Sequence, residues 1–93
     1  MTVGVLRVSA LLRGAHSLKE KRQVLRSLKD RVRHTFNVAV AEVDDQDFCQ
    51  SLEVGIATVG TDPRFVNSVL SNVLNFVQAL RGLELVDHEI EIF

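Results

Sequence analysis

The chain has 93 residues, 46% of them hydrophobic and 25% charged, with a formal net charge of −1. These figures exclude disorder and fit one domain, residues 1–93, near the lower limit of a self-sufficient core. One cysteine, Cys49, excludes an intrachain disulfide, no apolar run reaches the roughly 20 residues that span a bilayer, and the N-terminus MTVGVLRVSALLR lacks the marks of a signal peptide. A cytoplasmic protein without membrane contact is expected.

Residues 3–12, VGVLRVSALL, alternate as a strand. Gly4, Leu6, Val8, Ala10 and Leu12 would share one face, and Val3, Val5, Arg7, Ser9 and Leu11 the other. Ser17 and Glu20 form a capping box that opens a helix from Leu18 to about His34. Leu18, Val24, Leu25, Leu28 and Val32 make its apolar stripe. FNVAVAEV, 36–43, reads as a second strand, DDQD, 44–47, as a turn, and CQSLEVGIATV, 49–59, as a third strand in an antiparallel hairpin. Asp62 as N-cap and Pro63 at the first helical position start a second helix. Its apolar face is Val66, Val69, Leu70, Val73, Leu74, Val77 and Leu80, and Gly82 stops it. A last strand spans about 84–92. Val86, His88, Ile90 and Ile92 would face inward, with Leu85, Asp87, Glu89 and Glu91 outward.

The order is βαββαβ. Two right-handed split βαβ units give an α+β fold, the ferredoxin-like plait: a four-stranded antiparallel sheet with two helices on one face. The other face of the sheet receives no cover from its own chain.

Charge is unevenly spread. Residues 17–33 hold seven basic and two acidic side chains, and the rest of the chain four basic and ten acidic. Lys19, Arg22, Arg26, Lys29 and Arg33 recur at spacings of 3 and 4, forming one stripe beside the apolar one, while Arg31 lies elsewhere. Such a stripe is either a solvated helix face or a surface for an anionic partner. Its unrelieved repulsion costs roughly 0.2–0.5 kcal/mol per neighbouring pair, which an anionic partner would relieve, and both readings stay open. Lys21 falls within the apolar stripe. Two roles are open to it: snorkelling, with its ammonium reaching water, or binding an anion at the helix N-terminus.

The open sheet would expose Val3, Val5, Arg7, Leu11 and Leu85, a mixed surface suited to pairing two copies of the chain. With no aromatic on the outward side of the central strands, the base-stacking mode of RNA-reading plaits does not fit. RNA contact is expected through the first helix, to the backbone.

Catalytic signals are sparse. Glu42, Asp44, Asp45 and Asp47 could offer oxygens to a hard cation, but they lack the glycine and spacing of a calcium loop. His16, His34 and His88 are scattered and form no zinc pattern with Cys49. His88 reads as a hydrogen-bonded residue at the core edge, and Cys49 as a half-buried strand residue. No metal and no cofactor are expected. Acylphosphatases share this element order, and RGAHS, 13–17, with Asn37 on the second strand could mimic their phosphate loop and water-placing Asn. Their VQGVxFR-like motif is absent, and shared fold is weak ground for shared activity. The expectation is a protein that is not an enzyme.

Taken together, SLKEKR, FNVAVAEVD and the QD that follows resemble the signature of the YlxP-like family, small bacterial proteins carrying a domain of unknown function. The resemblance covers essentially the whole chain. The family pattern has a Trp where this chain has Cys49, and often His or another non-acidic residue at Asp45. The resemblance implies the plait and no reaction. Its gene neighbourhood, beside translation initiation and ribosome maturation factors, implies ribosomal RNA or a ribosomal subunit as partner. It places Lys19, Lys21 and Arg22 in the family motif, with Arg26, Lys29 and Arg33 continuing the surface.

Overall fold

The computed structural model describes residues 1–93. The elements are β1 (Thr2–Leu11), α1 (Leu18–Thr35), β2 (Ala39–Asp44), β3 (Ser51–Gly60), α2 (Pro63–Gln78) and β4 (Glu84–Ile92). The sheet is antiparallel, in the order β2-β3-β1-β4, with β2 and β4 at its edges. This is the α+β ferredoxin-like plait.

The helix starts follow from local chemistry. The Ser17 hydroxyl accepts from the Glu20 N–H at 3.1 Å, and the Glu20 carboxylate accepts from the His16 N–H at 2.9 Å. One orphan amide of α1 is thereby satisfied, and the chain just before the cap is tied back to the first turn. Asp62 caps α2 through the Arg64 N–H at 2.7 Å, with Pro63 next. Beyond α2, Gly82 takes φ +85°, a left-handed turn open to glycine, and feeds β4.

The core lies between sheet and helices. Leu6, Val8, Ala10 and Leu12 of the β1 segment meet Leu52, Val54 and Ile56 of β3. Leu25, Leu28 and Val32 of α1 and Val66, Leu70, Val73 and Val77 of α2 close over them. At the far end of α1, Phe36 packs edge-to-face on Phe76, ring centroids 5.6 Å apart, joining the two helical segments.

Two strand starts differ from the sequence expectation. β2 begins at Ala39, not at residue 36, because the Phe36 N–H closes α1 on the Val32 carbonyl and Val38 bonds back to Phe36. Asn37 therefore precedes β2. β3 begins at Ser51, leaving Cys49 half-buried in the turn.

The larger correction is on β4. Val8 pairs His88 and Ser9 pairs Asp87, but Ala10 pairs Leu85, so Val86 is the extra residue of a bulge. A one-residue slip moves the following side chains to the opposite face. Leu85 thus packs against the core and leaves the open face, while Val86 is exposed. His88 shares the inward side with Val8, yet on an edge strand it is exposed and its ring has no hydrogen bond within the chain.

Candidate nucleic-acid interface

Five cations are gathered along α1. With its apolar stripe pinned to the sheet, Lys19, Arg22, Arg26, Lys29 and Arg33 fall on one arc of roughly 80°, about 20 Å long. Lys19, Arg22, Arg26 and Arg33 are exposed, and Lys29 is half-buried. None of the five makes an ion pair with a carboxylate. Glu20 is engaged in the capping box instead. Arg33 Nη2 donates to the Val40 carbonyl at 3.3 Å, joining the end of the stripe to the β2 edge.

Lys21 is not part of this surface. It is 1% exposed, and its Nζ lies 3.0 Å from Glu42 Oε2 while donating to the Asp45 carbonyl. Both roles considered for it fail. The ammonium does not reach water, and a buried cation already paired with a carboxylate has no access to a phosphate. The partner was available in the sequence: alternation of Val38, Val40 and Glu42 puts an acid on the inward side of β2. Two inward-facing charges on neighbouring elements are a pairing signal.

On the open side, Val3 and Val5 are half-buried and Arg7 is exposed. Arg7 is bound to Glu89 at 2.8 Å. Ser9 donates to Glu53, also at 2.8 Å. Leu11 is half-buried and sits over the mouth of the β1–α1 turn with Arg13 and Glu84. Toward β2 the face is apolar: Ala57 and Val59 continue into Ala39, Ala41 and Val43. The exposed Phe93 bonds through its N–H to the Val3 carbonyl, beyond the end of β4 and off the two central strands.

The residues considered for catalysis stay apart. Arg13 lies past the C-terminal end of β1, paired with Glu84 at 2.5 Å. Asn37 precedes the N-terminal end of β2, which the strand register sets beside the start of β1. The two are therefore separated by about nine strand residues, roughly 30 Å. No acylphosphatase-like centre is formed. The acids of 42–47 also fail to converge, and no three His, Cys, Asp or Glu side chains are placed to share a metal ion. No helix is long and apolar enough to cross a membrane.

Residues 3–90 match the family model described as "Protein of unknown function (DUF503)". The "Uncharacterized protein YlxP" of Bacillus subtilis (strain 168) is 34% identical over 82 residues, covering 88% of this chain and 89% of that protein. On the extent of both matches, the chain belongs to the DUF503 family.

Proposed function

We propose that this protein is a non-enzymatic, cytoplasmic RNA-binding protein. It grips the phosphate backbone of ribosomal RNA through Lys19, Arg22, Arg26, Lys29 and Arg33. The observation that supports this is the absence of any carboxylate partner for five aligned cations. A folded chain with twelve acids has the means to neutralise them and does not. Their repulsion is relieved when phosphates take the place of counterions. The neighbourhood of the family's genes supports ribosomal RNA among the polyanions. Contact is with backbone and independent of base identity, since no Phe, Tyr or Trp lies on α1 and the five cations are the side chains that phosphates attract.

Co-sedimentation with ribosomal subunits across a salt series tests the reading. Four or five phosphate contacts give log K falling with log salt at a slope of roughly −3 to −4. Changing Lys19, Arg22, Arg26 and Lys29 together to Ala flattens the slope and abolishes binding at moderate salt. Wild-type protein that stays unbound at low salt would sink the proposal.

A second reading is supported by the open sheet. Its apolar half, Val3, Val5, Ala39, Ala41, Val43, Ala57 and Val59, is contiguous across three strands, and Arg7 beside it is already paired with Glu89. Two copies stacked on this face form a dimer whose mass light scattering would read. A monomer at micromolar concentration excludes it.

A further inference from the structure

A second groove lies on the opposite flank of α1, between that helix and the connection from α2 to β4. Its floor is apolar: Val24 and Leu28 on one side, Leu80 and Leu83 on the other. Arg31 and Arg81 stand at its rim, both exposed. Arg31 is more than about 100° around α1 from the stripe, so this is a separate surface. Neither guanidinium makes an ion pair or a hydrogen bond within the chain, and no acid lines the groove.

Floor and rim together narrow the occupant. The groove encloses about 280 Å³. That volume lies at the lower edge of the roughly 300–1,000 Å³ of cofactor and drug-sized ligand sites, so the aliphatic floor and the charged rim decide the occupant more than size does. The groove is suited to one or two apolar side chains anchored from a polypeptide. A nucleic acid would find no aromatic here on which to stack a base and would gain nothing from an aliphatic floor. Two unpaired arginines flanking that floor call for carboxylates flanking the anchors, since Arg and carboxylate match in a two-pronged geometry.

We propose that this groove docks an acidic amphipathic peptide segment of a partner protein. Its apolar side chains rest on Val24, Leu28, Leu80 and Leu83, and its carboxylates meet Arg31 and Arg81. The inference does not depend on RNA binding by the other face.

A random dodecapeptide library displayed on phage, panned against the immobilised full chain, is the probe. Enriched peptides are then synthesised and their affinity read by fluorescence anisotropy. They are expected to carry Asp or Glu beside Leu, Ile or Phe anchors. They should lose at least tenfold in affinity for the Arg31→Glu/Arg81→Glu variant and stay within twofold for Arg22→Ala/Arg26→Ala. Peptides with their acids changed to Lys should regain binding on the charge-reversed variant. Both substituted arginines are exposed, and circular dichroism would verify that the variant is folded. Failure to enrich above a blank surface overturns the proposal. So does enrichment of peptides without acids, or an affinity unchanged by the charge reversal. Loss of RNA binding in the charge-reversed variant, with no peptide enriched, would assign the groove to the nucleic-acid surface and likewise overturn it.

Discussion

Lys21 Nζ and Glu42 Oε2 stand 3.0 Å apart beneath the surface, tying the first turn of α1 to the inward side of β2. The lysine side chain is 2% exposed and the glutamate 19%. Nζ also donates to the carbonyl of Asp45, a residue held at φ 62°. Asp tolerates that left-handed conformation better than most residues, and it sits where the hairpin turn delivers the carbonyl to the lysine. Glu42 Oε2 accepts no hydrogen bond: the ammonium is within ion-pair range but off the line of one. The pair is therefore held by charge, and removing one member leaves the other without its counter-charge.

This arrangement sets the first prediction. Lys21→Met is expected to cost about 1–3 kcal/mol, because the half-buried Glu42 keeps its Oε2 out of water with no partner. The double variant Lys21→Met/Glu42→Leu should recover most of that loss, since well-packed apolar residues replace a buried ion pair at little or no cost. Urea unfolding of the wild type, both single variants and the double variant closes the cycle. Losses that simply add would show that the two residues do not interact.

How far the sequence foretold this structure can be judged residue by residue. Regular segments were legible because one rule governs many positions. The alternation of Leu6, Val8 and Ala10 and the helical recurrence of Leu25, Leu28 and Val32 each required only a period. Irregularities were not. The bulge at Val86 exchanges the faces of Leu85 and Val86, and nothing in ELVDHEIEI announces which residue is extra. Lys21 was seen to point at the core, but its fate depended on Glu42, which only the pairing of α1 with β2 could supply. For the candidate interface, the stripe itself was legible from spacing. That no acid from elsewhere in the chain reaches it was not, because partners for surface cations come from tertiary structure.

Of the five glycines, Gly4 has the least room for a side chain. A methyl group there would run into Val66 Cγ1 and meet Leu70 Cδ1 at 2.8 Å and Ile92 Cδ1 at 3.1 Å. Val66 and Leu70 are fully buried on α2, so neither can swing away cheaply. Gly4→Ala is expected to destabilise the fold by about 1–3 kcal/mol, the range for overpacking a filled core. Any gain from the reduced freedom of the unfolded chain, about 0.4–1 kcal/mol, is smaller than that. A Tm equal to or above the wild-type value would show that α2 can shift to admit the methyl group.

Within the stripe, single substitutions separate phosphate contact from general charge. Arg22→Ala is expected to reduce the magnitude of the salt slope for ribosomal subunits by about 0.7–0.9, the loss of one contact. Arg31→Ala removes the same formal charge from the opposite flank of α1 and should leave the slope unchanged. If both substitutions flatten it equally, binding responds to net charge alone and not to a defined face.

The ion pair of Arg13 with Glu84 links the exit of β1 to the start of β4, and it carries a testable pH dependence. Glu84 titrates below its ordinary value of 4.5, first because Arg13 donates a hydrogen bond to it and second because of the nearby positive charge. The same two contacts hold Arg13 above its ordinary value. A depressed carboxylate stabilises the fold above the pKa of the unfolded chain, and the benefit fades as pH falls through the lower folded pKa. In Arg13→Ala, the Glu84 carboxyl should titrate at higher pH than in the wild type, as followed by side-chain carbonyl NMR. The difference in stability between the two proteins should shrink as pH drops below 4.5 and vanish once Glu84 is protonated in both. Because both groups are exposed, 1 M salt, with a screening length of about 3 Å, should erase much of the shift. A Glu84 titration unmoved by the substitution at low salt would mean that the two side chains do not hold this contact in solution.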